Sequence, residues 1–220
     1  MAISLTCSTS LFINNQIEPN YKSQSFITEK SIDIDLRSDL LGSGFYCLDF
    51  TPLQYNTLTL STKDNYYSQV FIYTYGCLDL DFNKNSTPSN CANQTEIGKV
   101  INGQNAGFRL KLFTSQFNTQ TKKIQINYRN DFVYALENFI TSSTLKAQKQ
   151  VTSVKQGFFI QDKSTFSSPI DYEKENQLWD REYSINSINQ SGYGMLVLIM
   201  NEIVQQVELQ YPTIPSILAL

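Results

Sequence analysis

The sequence predicts an all-β protein, an antiparallel β-sandwich of roughly ten strands with one or two short helices. Three observations carry that prediction. Apolar and polar residues alternate over many short segments, turn formers recur between them, and the segments are rich in Tyr, Phe, Val, Ile and Thr. Those residue types fit a pleated, half-buried surface. At 220 residues the chain suits a single β-rich domain spanning 1–220.

The elements follow in order. Residues 32–36 (Ile-Asp-Ile-Asp-Leu) alternate strictly, and Gly42 and Gly44 separate them from a second strand at 45–50. Residues 57–60 alternate again, and 66–75 form a longer strand dense in Tyr, Phe, Val and Ile. Residues 78–82 lead into a loop of strong turn formers. Segments 108–113 and 124–128 alternate well and are expected to pair as a hairpin around 114–123. The period then changes: Phe132, Val133, Leu136, Phe139 and Ile140 recur at helical spacing. With Asn130 or Asp131 as N-cap, a short helix is predicted there. Strand returns at 151–160, and the charged stretch 171–182 reads as a helical turn or loop around Trp179. The last strands are predicted at 182–188 and 193–200. Residues 195–200 (Met-Leu-Val-Leu-Ile-Met) are the most apolar run in the chain, so they are expected to form a buried central strand.

Composition excludes several chemistries. Histidine is absent, which removes Ser-His-Asp and Cys-His nucleophilic sites, imidazole zinc sites and a pH switch near neutrality. A net charge of -3 without a clustered basic face argues against a nucleic-acid partner. No phosphate-binding or dinucleotide fingerprint occurs, so no cofactor is expected.

Some candidate constellations remain. Asp33 with Asp35, and Asp171 with Glu173 and Glu175, are carboxylate clusters of the kind a carbohydrate-active hydrolase uses. Solvated faces explain both more simply. Asp79, Asp81, Asn83 and Asn85 place oxygens at alternate positions, as a calcium loop begins, but Lys84 and Asn90 stand where such a loop needs Gly and a bidentate Glu. Tyr66, Tyr67, Tyr73 and Tyr75 offer an aromatic face for a carbohydrate or protein ligand.

Four cysteines occur without a Cys-x-x-Cys pair, which argues against zinc and thioredoxin-type sites. Cys77 and Cys91 flank a turn-rich loop and are expected to pair. Cys7 and Cys47 either form a second bridge or stay as thiols. Glycosylation acceptors occur at Asn85, Asn93 and Asn189, two of them in or beside the Cys77–Cys91 loop. A disulfide with flanking sequons points to an oxidising compartment.

The charge map points the same way. No charged side chain precedes Glu18 and none follows Glu208. Residues 1–13 and 209–220 read either as buried β segments of a soluble domain or as remnants of, or lead-ins to, flanking membrane segments. Residues 209–220 (Leu-Gln-Tyr-Pro-Thr-Ile-Pro-Ser-Ile-Leu-Ala-Leu) carry a Tyr-Pro-x-Ile motif and a Leu-Ala pair. With Ile203 to Gln206, the Asn/Gln/Tyr-rich composition and Glu18-Pro-Asn-Tyr21, this resembles a large group of ciliate transmembrane proteins. The resemblance implies an extracytoplasmic β-rich domain followed by a Gly-Gly-containing membrane helix, and it brings no catalytic residues. The expected function is thus a glycosylated domain of a membrane-anchored protein, with a binding or structural surface role. The ectodomain of a ligand-gated channel or cargo receptor is the alternative, and a carboxylate-based carbohydrate enzyme comes third.

Overall fold

The computed structural model describes residues 69–213, apart from 104, 105 and 158, together with the strand backbones that precede them. The early strands are β1 (Ala2–Leu5), β2 (Leu11–Asn15), β3 (Ser23–Ile27), β4 (Lys30–Ile34), β5 (Leu36–Arg37), β6 (Phe45–Leu48) and β7 (Leu58–Ser61). Then come β8 (Ser68–Thr74), α1 (Gln94–Ile101), β9 (Gly107–Asn118), β10 (Lys123–Tyr134), β11 (Phe139–Gln156), β12 (Asp162–Asp180), α2 (Arg181–Ile188) and β13 (Gly194–Gln210). The protein is mostly β with two helices. A six-stranded sheet has the order β12-β11-β13-β8-β3-β4, a separate five-stranded sheet has the order β10-β9-β2-β6-β5, and β1 pairs with β7.

The expectation of antiparallel pairing throughout needs one correction. β11 and β13 run parallel, with Thr141 opposite Gly194 and Lys155 opposite Gln210, so the large sheet is mixed. The reason is topological. β12 returns antiparallel along one edge of β11, and α2 then carries the chain across to the other edge. A strand entering there runs in the direction of β11.

The run 195–200 does form a central strand. Leu196, Leu198 and Met200 are buried, while Met195, Val197 and Ile199 on the opposite face are half-buried. Their neighbours across the ladder complete one apolar face: Val70 and Ile72 on β8, Leu145 and Ala147 on β11, and Tyr172 on β12. The β9–β10 hairpin lies against this sheet and contributes buried Phe108, Leu110, Leu112 and Val133. Beyond Leu112, β9 has lost its partner β2. Its main-chain carbonyls are taken up by hydroxyls of β12: Tyr172 donates to Phe113 O (3.0 Å) and Ser168 to Ser115 O (2.8 Å). A strand edge is thereby closed without another strand.

The three long strands change register at one level. Ile170 is unpaired between the Gln148–Asp171 and Lys149–Pro169 pairs, and residues 201–203 bulge from β13. Pro169, which cannot donate to a ladder, sits in β12 at the sheet edge, where that costs least. Past the bulges the buried side of β11 switches, from Leu145 and Ala147 to Thr152 and Val154. This is the signature of a sheet that curls, with Phe166 now meeting Phe117 of the hairpin at 5.7 Å between ring centroids.

Four local expectations are corrected, the first being the helical turn or loop around Trp179, which is strand, since β12 runs through to Asp180. The helix predicted around 132–140 is absent: β10 runs through Tyr134, a tight turn bridges Leu136 and Phe139, and β11 begins. The strand predicted at 182–188 is α2. Strand from 151 ends at Gln156, and β12 begins at Asp162. The 108–113 and 124–128 hairpin is present in full register, closed by 119–122 with Asn118 Oδ1 accepting from the amides of Gln120 and Thr121.

The core position predicts its own test. Leu198→Ala should lower unfolding stability by about 2–5 kcal/mol. Ile126→Ala, at a site more than half exposed, should change it by less than about 0.5 kcal/mol. Chemical denaturation with an unchanged m-value would show both.

Candidate functional site

The segment 75–84 connects β8 to the loop before α1. Alternation suggests a strand with Leu80 and Phe82 facing the core and the aspartates facing water. The arrangement is reversed. Leu78, Leu80 and Phe82 are exposed, whereas Asp81 is buried at 8% exposure and Asp79 is largely enclosed.

Each buried charge has a reason to be there. Asp81 Oδ1 accepts from the Tyr75 hydroxyl (3.1 Å) and from the amides of Asn83 (2.8 Å) and Lys84 (2.9 Å). Its Oδ2 accepts from the amide (3.0 Å) and hydroxyl (3.5 Å) of Ser191. Asp79 Oδ2 accepts from Gly76 N (2.8 Å), and its Oδ1 pairs with Arg181 Nη2 (2.9 Å). Arg181 also donates to Ser191 O and lies 4.1 Å from the Tyr193 ring centroid. The two aspartates thus fasten the β8–α1 loop to the α2–β13 connection. Hydrogen-bonded, paired charges of this kind are tolerated inside a protein where isolated ones are not.

Lys84 completes the cluster. Its Nζ donates to three main-chain carbonyls: Gly76 (3.1 Å), Cys77 (2.6 Å) and Asp79 (2.7 Å). One ammonium group thus gathers three main-chain carbonyls of the loop. The departure from the calcium pattern at Lys84 is therefore the working part of this loop. Among the described residues no cluster of three metal-ligating side chains occurs. Burial pulls the Lys84 ammonium down from its ordinary value, opposed by the charges of Asp79 and Asp81. Burial, reinforced by Asp81, pushes the Tyr75 hydroxyl far above the usual phenol range, so that it stays a neutral donor.

Two of the four tyrosines proposed as an aromatic face, Tyr73 and Tyr75, lie among the described residues. Phe71, Tyr73 and Tyr75 point to one side of β8 and form a ladder, with centroids 6.0 Å and then 6.2 Å apart. Tyr66 and Tyr67 lie outside the described residues. Phe71 was not among the predicted members, although its position two residues before Tyr73 puts it on the same face. All three residues are half-buried, and the hydroxyl of Tyr75 is committed to Asp81.

The Cys77–Cys91 bridge is present, with Cα atoms 5.5 Å apart across a sequence separation of 14. Cys7 lies outside the described residues. Cys47 is placed only as a backbone position in β6, opposite Phe12. The three sequon asparagines are all exposed. Asn85 lies in the disulfide loop. Asn93 is the N-cap of α1, within a capping box completed by Glu96. Asn189 is the left-handed C-cap of α2. As cap, Asn93 uses Oδ1 to accept from Glu96 N (3.0 Å), which leaves its amide nitrogen, the atom a glycan takes, on the outer side.

The carboxylates of β12 are balanced by neighbours. Asp171 pairs with Arg129 (3.1 Å), Glu175 with Lys146, and Glu173 accepts from Asn201 (3.5 Å). Asp33 is placed only as a backbone position in β4, opposite Gln24, and Asp35 lies outside the described residues.

Two outcomes follow for the loop. Lys84→Met, which keeps the stem and removes the donor, should cost about 2 kcal/mol in chemical denaturation, and added calcium should not restore it. Cys77→Ser with Cys91→Ser should cost about 3 kcal/mol, the loop-closure value for a ring of this size, read by thermal unfolding under non-reducing conditions. Compared with protein-family models, curated proteins and solved structures, the chain finds no match.

Proposed function

We propose that the chain is the extracytoplasmic domain of a membrane-anchored protein, glycosylated at Asn85, Asn93 and Asn189. In this reading its two main sheets form a β-sandwich that presents a binding or structural surface. The observation that carries it is the Cys77–Cys91 bridge closing a loop with an exposed sequon at Asn85. Bridges persist in oxidising compartments, which are also where Asn-linked glycans are added. Exposure of Asn93 and Asn189 supports the same placement, since a buried acceptor could not carry a glycan.

A binding role draws on the Phe71–Tyr73–Tyr75 ladder, whose ring faces fit the apolar face of a sugar or a partner's aromatic side chain. Among the described residues no helix is long and apolar enough to cross a membrane. The anchor is assigned to sequence flanking the domain.

The test is expression through a eukaryotic secretory pathway, followed by peptide mapping without reduction and with glycosidase treatment. A bridged Cys77–Cys91 peptide with glycan on Asn85 or Asn93 is the expected result. Secreted protein with both thiols reduced and all three asparagines bare would sink the reading.

A further inference from the structure

The two ends of the molecule differ in chemistry, and the central strand connects them. β13 leaves one end at Gly194 and reaches the other at Gln210, about 55 Å away for a strand of its length. The starting end gathers the Cys77–Cys91 loop, α1, α2 and all three sequons. Tyr193 packs there with Ile97 and Ile101 of α1, and Ser191 is bound to Asp81.

The far end is built from two hairpin turns and the close of β13. The Tyr211 hydroxyl donates to Thr119 O (3.1 Å) in the β9–β10 turn, and Lys122 of that turn stands 4.8 Å over the Tyr211 ring. Gln161 of the β11–β12 turn donates to Tyr211 O, and Tyr211 N donates to Lys155 O (3.0 Å). At the apex of the β11–β12 turn stand Phe159 and Ile160, 74% and 84% exposed, the highest values of any large apolar residue described. Gly157 fixes this projection: at φ +150 a side chain there would meet the Ile160 carbonyl at 1.9 Å.

The charges around this apex are mainly positive. Lys122, Lys123 and Lys163 are exposed. Lys155 is paired with Glu208 (2.6 Å), and Asp162 is the remaining acid beside the turn.

We propose that this end is a lipid-facing tip, seated on a bilayer surface with Phe159 and Ile160 entering the headgroup region and its lysines meeting lipid phosphates. The inference rests on the reading of the chain as an extracytoplasmic domain held at a membrane, and adds its orientation. Apolar side chains at a projecting turn, ringed by lysines and an aromatic, match the layered chemistry of a bilayer interface. The sequons lie at the opposite end, where bulky hydrophilic glycans would not separate the tip from lipid. β13 also ends at this tip, and in sequence no charged residue follows Glu208.

Sedimentation of the full chain with phosphatidylcholine vesicles, with and without phosphatidylserine, tests the tip. The full chain should bind the phosphatidylserine vesicles. F159D/I160D should weaken that binding about tenfold or more, and K123E/K163E should weaken it about tenfold. L80D/F82D, an exposed apolar pair at the sequon end, should leave it unchanged and controls for general stickiness. Absence of binding to either vesicle would overturn the proposal, as would F159D/I160D binding like the parent. So would equal binding to both vesicles with no effect of K123E/K163E. Any of these leaves bridge and glycan mapping untouched, so failure of the tip is distinguishable from failure of the extracytoplasmic reading.

Discussion

The buried carboxylate of Asp81 constrains the whole sequon-bearing end of the molecule. A charge at that depth persists only when its lone pairs are met, and five donors meet them, two from Ser191, which is 110 positions away. To bring those donors together, the β8–α1 loop must lie against the α2–β13 connection. That contact sets where β13 enters the sheet beside β8. Arg181 and Asp79 repeat the fastening one turn away. Lys84, drawing in the carbonyls of residues 76, 77 and 79, holds the loop in the shape that aims Asp81 inward. The disulfide closes the same loop at its base.

How much of this was legible depended on whether local pattern and tertiary demand agreed. They agreed in the β9–β10 hairpin and in the run 195–200, where period-two alternation or continuous apolarity matched a half-buried or central strand. They disagreed at 132–140. Phe132 and Val133 close β10 while Phe139 and Ile140 open β11, and a sharp turn between two strands set these residues at helical spacing by coincidence. α2 carries almost no apolar stripe, so periodicity had nothing to report. Its ends are fixed by Asp180, whose side chain accepts from Tyr183 N, and by the left-handed Asn189. α1 does carry a sequence signal, Asn93-Gln-Thr-Glu96, a capping box that coincides with a sequon.

The candidate site was legible in its components and not in its sense. The Cys77–Cys91 pairing followed from loop composition, and the candidates Tyr73 and Tyr75 followed from residue type. The inward turn of Asp79 and Asp81 could not follow, because it depends on Arg181 and Ser191, more than a hundred residues downstream. Alternation gives the two sides of a segment and does not say which side is wet. The polar partners that decide it are visible only once the chain has folded.

The parallel pairing of β11 with β13 has a consequence for how the protein is made. The strand β13, inside the large sheet, is synthesised after every other strand described, and its partner β8 lies some 120 residues earlier. Neither β8 nor β11 gains its inner neighbour until the end of the domain has emerged. During vectorial synthesis both keep an open, apolar edge, a state that folds slowly and invites wrong pairing. The large sheet of this topology therefore depends on β13 for its completion.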